Sequence, residues 1–99
     1  MPTVFNFGDG LKIYFYYGEK PTEPPHFHAV FKDGDEHSAQ VAIETLEVIE
    51  SSLTAGQQKR VLGWAANRRV ALRRRWADAR AGRPLEAITK DEVDPEEVG

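Results

Sequence analysis

The chain has 99 residues, 40% of them hydrophobic, including five Phe, three Tyr and two Trp, and a formal net charge of −3. That is enough apolar material for one compact core and too little length for two domains. With no cysteine, disulfide staples, zinc–thiolate centres and thiol nucleophiles are excluded, and no apolar run approaches the ~20 residues that cross a bilayer.

The N-terminus lacks the basic start and apolar stretch of a signal peptide, and the absence of cysteine suits a reducing compartment, so a cytoplasmic location without membrane contact is expected. Charge is arranged in three blocks. Up to Gln58 there are three Lys/Arg against nine Asp/Glu; from Lys59 to Arg83, nine against one; from Pro84 onward, one against six. A basic rod between two acidic segments reads as internal charge complementarity or a solvated helix face, with nucleic acid or an acidic partner as the alternative.

The first half reads as strands. "TVFNF" and "LKIYFYY" flank "GDG", and "HFHAVF" and "HSAQVAI" flank "KDGDE"; each pair is a hairpin signal, since Gly and Asp supply the left-handed angles a tight turn needs. "LEVIE" adds a short fifth strand or an extended lead into the helix. Pro21, Pro24 and Pro25 restrict the link between strands two and three to extended or turn conformations, with the X-Pro isomers at Pro24 and Pro25 left open.

In the second half, Thr54 followed by Gln57 is a capping box, and Gly82 then Pro84 is a stop signal. Between them Val61, Ala65, Leu72, Trp76 and Ala79 fall within about 60° of one line at 100° per residue, with Trp64 at one edge. One long helix covering the sheet is therefore expected, with Lys59, Arg73 and Arg74 pointing away and Arg68 packed along its stem. The predicted fold is α+β: an antiparallel meander of four or five strands on one long C-terminal helix. Residues 1–88 form the domain and 89–99 an acidic, flexible tail.

Alternation assigns faces. Leu11, Ile13, Phe15 and Tyr17 oppose Lys12, Tyr14 and Tyr16; Phe27, Ala29 and Phe31 oppose His26, His28 and Val30; Ala39, Val41 and Ile43 oppose Ser38, Gln40 and Ala42. With the more apolar sets toward the helix, Tyr14, Tyr16, His26 and His28 gather on the open face. His37 follows Phe31 if the second hairpin has a three-residue loop, and Val30 if it has a two-residue turn.

"MPTVFNFGDGLKIYFYY", "PPHFHAVF" and "WADARAGRPLEAI" together resemble the small bacterial family called domain of unknown function 4160, over residues 2–88. The most specific parts are Pro24, Pro25, His26, Phe27 and His28, with Trp76, Ala79, Arg80, Gly82, Pro84, Leu85 and Ile88. Family members tend to carry an Asp-His pair in a shorter link, where this chain has Glu19 and Lys20. The resemblance implies association: such genes often sit beside a second small gene, in arrangements likened to toxin–antitoxin pairs.

Three chemistries suit the rings. Histidines at i and i+2 on a strand can share an ion such as zinc or nickel, with a third ligand from Glu19, Glu23, His37 or a neighbouring strand. His26 and His28 can act as base and acid on a ribose hydroxyl, as in a ribonuclease-like toxin, if an arginine holds the phosphate. An open sheet face carrying several rings has the composition of an interface centre. The last is the expected function: a small protein partner, from an adjacent gene or as a homodimer, bound through Tyr14, Tyr16, His26, His28, Arg73 and Arg74. No resident metal and no cofactor are expected, and RNA or DNA on the basic helix is the further partner class.

Overall fold

The computed structural model describes residues 2–17 and 23–95. The elements are β1 (Thr3–Asn6), β2 (Leu11–Tyr14), β3 (His26–Asp33), β4 (Asp35–Ala42), β5 (Val48–Ser51), α1 (Ala55–Ala65) and α2 (Arg69–Arg80). The five strands form one antiparallel sheet in the order β1-β2-β3-β4-β5, a meander in which every strand neighbours its successor.

The hairpin glycines do what their sequence context implies. Gly8, Gly10 and Gly34 all have positive φ, and Gly10 lies close to the next strand: a Cβ there would sit 3.1 Å from the Lys32 carbonyl oxygen. Asp33 and Asp35 pair across Gly34, which places His37 opposite Phe31 and away from His28. The β4–β5 turn uses Leu46 at φ 59. This non-glycine residue holds a left-handed conformation while its side chain packs on the core, and its N–H donates to the Ala42 carbonyl at 2.9 Å.

The alternation read from the sequence is realised in the core: Leu11, Ile13, Phe15, Phe27, Ala29, Ala39, Val41 and Ile43 are all buried in one cluster with Val61, Trp64, Ala65, Leu72, Trp76 and Ala79. Trp64 is the hub, with ring centroids 4.9 Å from Phe5, 5.9 Å from Phe7 and 6.4 Å from Phe27. Tyr17, expected to continue the core face, is exposed because β2 ends at Tyr14; its hydroxyl donates to the Arg83 carbonyl at 2.9 Å.

The single long helix is replaced by two. Thr54 caps α1 with both halves of the capping box in place, but the helix stops at Ala65, and Arg68 takes φ −133°. The Asn67 carbonyl accepts from the Asp94 N–H at 2.6 Å, and the Asp94 carboxylate accepts from the Arg69 and Val70 N–H groups at 3.1 and 2.9 Å. A carboxylate from 24 residues along the chain thus supplies the cap that α2 lacks locally, satisfying amide donors a new helix start exposes. Val61, Trp64 and Ala65 on α1 and Leu72, Trp76 and Ala79 on α2 are nonetheless buried in one core cluster with the sheet.

The segment after Gly82 meets the helices and β1 at several points up to Asp94, the contacts of Lys90, Glu92 and Asp94 falling in the stretch expected as an acidic tail. Ile88 is buried and its N–H donates to the Val4 carbonyl at 2.7 Å, along the outer edge of β1. Arg75, which the helical stripe does not single out, is buried and bonds the Glu86 and Ala87 carbonyls and both Glu92 oxygens, the last two at 2.7 Å. Arg68 reaches the Trp64 and Lys90 carbonyls, as its place on the stripe implied. Ion pairs Arg60–Asp9, Arg73–Glu44 and Arg75–Glu92 join the basic block to both acidic ones.

Candidate functional site

Strand pairing brings the predicted rings into one row. Tyr14 is opposite His28, His28 opposite Gln40, and Gln40 opposite Glu50, so the side chains stand side by side across four strands. The His28 imidazole stacks on the Tyr14 ring, 5.1 Å between centroids and 19° between planes. Tyr16 meets both edge-on, at 5.2 Å from Tyr14 and 4.8 Å from His28. His26 lies 5.0 Å from His28, and its Nδ1 donates to the Pro24 carbonyl at 2.9 Å; a carbonyl only accepts, so that nitrogen carries a proton.

Two expectations for these rings are corrected. The face is not uniformly open, for Tyr14, His26 and His28 are buried, at 3%, 3% and 6% exposure, while Tyr16 stands out at 44%. Offset and edge-on packing among aromatic rings is itself favourable, and here the rings shield one another. Nor is His26 wholly on the far side from the helices: its ring lies 4.9 Å from that of Trp76 on α2. It sits at the first residue of β3, where α2 reaches the sheet.

Burial is the first cause, and a hydrogen bond with the Tyr16 hydroxyl the second, of a Tyr14 phenol pushed well above its ordinary value; the nearby Glu36 carboxylate acts in the same direction. Each disfavours the phenolate. Tyr14 is therefore a neutral hydrogen-bonding group, unsuited to the role of a base near neutrality.

Two clefts open beside the row. One, of about 150 Å3, is lined by Tyr14, Tyr16, His28, Ser38, Gln40 and Glu50. The second, of about 330 Å3, is lined by Glu23, Pro24, His26, Gln40 and the exposed Ile49. Gln40 is common to both. Among the described residues neither cleft has a lysine or arginine in its lining. Arg73 and Arg74, expected on the outward side of the helix and counted with the rings among the binding residues, line neither cleft. Arg73 is engaged by Glu44 through two bonds of 2.5 and 2.9 Å, and Arg74 borders a separate cleft with Arg75, Asp78 and Arg83.

Among the described residues no group of three or more His, Cys, Asp or Glu side chains is placed to hold a metal ion. His37 sits at another cleft, with Phe31, Ser52 and Gln57, too far along the sheet to join the His26–His28 pair. Glu19 and Lys20 lie outside the described residues. Sequence reasoning missed Gln40, Ile49 and Glu50; the alternation of β4 carried the signal for Gln40, but placing Glu50 required knowing that β5 pairs with β4.

The sequence model of the domain of unknown function DUF4160 matches residues 10–77. The chain belongs to that family. The DUF4160 match includes the whole ring row and Trp76, and ends before the Glu92 and Asp94 contacts. No curated protein and no solved structure matches the chain. Among the described residues no helix is long and apolar enough to cross a membrane.

Proposed function

We propose that this DUF4160 protein is a protein-docking module, one component of a two-gene, toxin–antitoxin-like pair, whose working surface is the Tyr/His side of the sheet. The two-gene part rests on the family resemblance. The surface rests on one observation: a row of packed rings ends in a half-exposed tyrosine beside two adjoining clefts, with Ile49 exposed at the far side. Rigid aromatic groups with a polar tip are favoured interface anchors because they bury large area at small entropic cost.

The ribonuclease-like or metal-dependent alternative is less well supported. It needs a cation to hold phosphate beside the imidazoles. The clefts at His26 and His28 offer Glu23 and Glu50 instead, which repel an anion.

The test is co-expression with the product of the adjacent gene, followed by a binding titration. Tyr16→Ala should weaken the complex at least tenfold while leaving the fold intact, because the ring is already half in solvent. The reading fails if binding is unchanged in Tyr16→Ala, or if His28→Gln abolishes an effect on cell growth or RNA while the complex persists.

A further inference from the structure

The smaller cleft is specific about what it can accept. Its lining combines the exposed Glu50 side chain, which has no ion-pair partner among the described residues, with the half-exposed Tyr16 ring. Ser38 and Gln40 add a hydroxyl and an amide to the same lining. The Tyr16 ring packs at right angles against two others, with interplanar angles of 89° to Tyr14 and 77° to His28, contacts that limit its motion on the side away from solvent.

An aromatic ring and a carboxylate lining one cleft attract a planar cation. The ring quadrupole draws the charge, and the carboxylate offers charge-assisted hydrogen bonds. Arginine fits better than lysine, since its flat guanidinium can stack on the ring and still present in-plane donors to Glu50, Gln40 and Ser38. The neighbouring cleft, sharing Gln40 and walled by Pro24 and Ile49, suits an apolar side chain of the same segment, and Glu23 there keeps the local potential negative.

We propose that the Tyr16–Glu50 cleft receives an arginine side chain from the protein partner, with an apolar neighbour lodged against Ile49. This deepens the docking function proposed above and rests on it. Phosphate-bearing partners are disfavoured at this surface by the same two carboxylates.

The probe is a five-residue peptide with one arginine flanked by valines, titrated into the isotopically labelled full chain while backbone amide resonances are followed. Saturable displacement of the Tyr16, Gln40 and Glu50 amides is expected. Affinity should fall at least tenfold when citrulline, which keeps the shape and loses the charge, replaces arginine, and likewise in Glu50→Gln; Tyr16→Ala should abolish the response. Both substituted side chains are exposed, and the dispersion of the remaining resonances reports whether each variant is folded. If the citrulline peptide binds the same amides equally well, or Glu50→Gln has no effect, the arginine assignment is wrong while the docking surface survives. If the arginine peptide leaves these amides unmoved, the assignment is likewise overturned; if oligouridine then moves them, protein docking falls with it.

Discussion

The His28 imidazole lies nearly parallel to the Tyr14 phenol, their centroids 5.1 Å apart, on strands paired so that the two residues are direct partners. Stacking at a directly opposed position locks both rings and leaves the Tyr14 hydroxyl directed to Tyr16. Tyr14→Phe should keep the stack and lose that hydrogen bond. The Tyr14 phenol has a folded pKa above its ordinary 10.0, so its stabilisation is complete below that value and is lost as pH rises through the folded value. Phenolate absorbance in an alkaline titration should show one tyrosine ionising only as the chain unfolds, and that phase should vanish in Tyr14→Phe.

Among the described residues Arg75 and Glu92 make the most buried ion pair, with side-chain exposures of 7% and 29%. Removing the acid leaves the guanidinium with only two carbonyl partners, and Glu92→Ala should cost about 1–3 kcal/mol in urea unfolding. The Arg75 hydrogen bond holds the Glu92 carboxyl below its ordinary 4.5. A lowered folded pKa contributes stability in full above the unfolded value, and that contribution is lost as pH falls through the folded value. The stability gap between the natural chain and Glu92→Ala should therefore be constant near neutrality and close progressively below about pH 4.5.

The two helix starts are capped differently, Thr54 locally and Asp94 from a distance. Thr54→Ala and Asp94→Ala should each cost about 1 kcal/mol. Hydrogen exchange should separate them: Thr54→Ala exposes amides at the start of α1, whereas Asp94→Ala should also speed exchange around Asn67, because the Asp94 N–H to Asn67 carbonyl bond depends on the same docking.

Gly10 and Gly34 both occupy the left-handed region, but only Gly10 faces a backbone oxygen at 3.1 Å from a would-be Cβ. Gly34→Ala should therefore cost about 1 kcal/mol from backbone strain alone. Gly10→Ala should cost more, since the Lys32 carbonyl must also shift and with it the β2–β3 ladder. Thermal melts of the two variants give the comparison directly.

The sequence by itself determined what repeats at short range. Period-two alternation assigned Leu11, Ile13, Phe27, Ala29, Ala39 and Val41 to one face and the four rings to the other side of their strands, because successive side chains on a strand must diverge. The helical stripe from Val61 to Ala79, the Thr54 cap and the Gly10 and Gly34 turns followed in the same way from local geometry. Only the tertiary structure decided the features that depend on partners far along the chain. Asp94 and Asn67 divided one apparent helix into two, β5 delivered Glu50 to the end of the Tyr14–His28–Gln40 row, and Trp76 closed over His26. Glu86, Ala87 and Glu92 made a buried place for Arg75. A helical or strand period is written into neighbouring residues, whereas a remote cap, a strand register or a buried charge is fixed only when distant segments compete for the same donors and the same space.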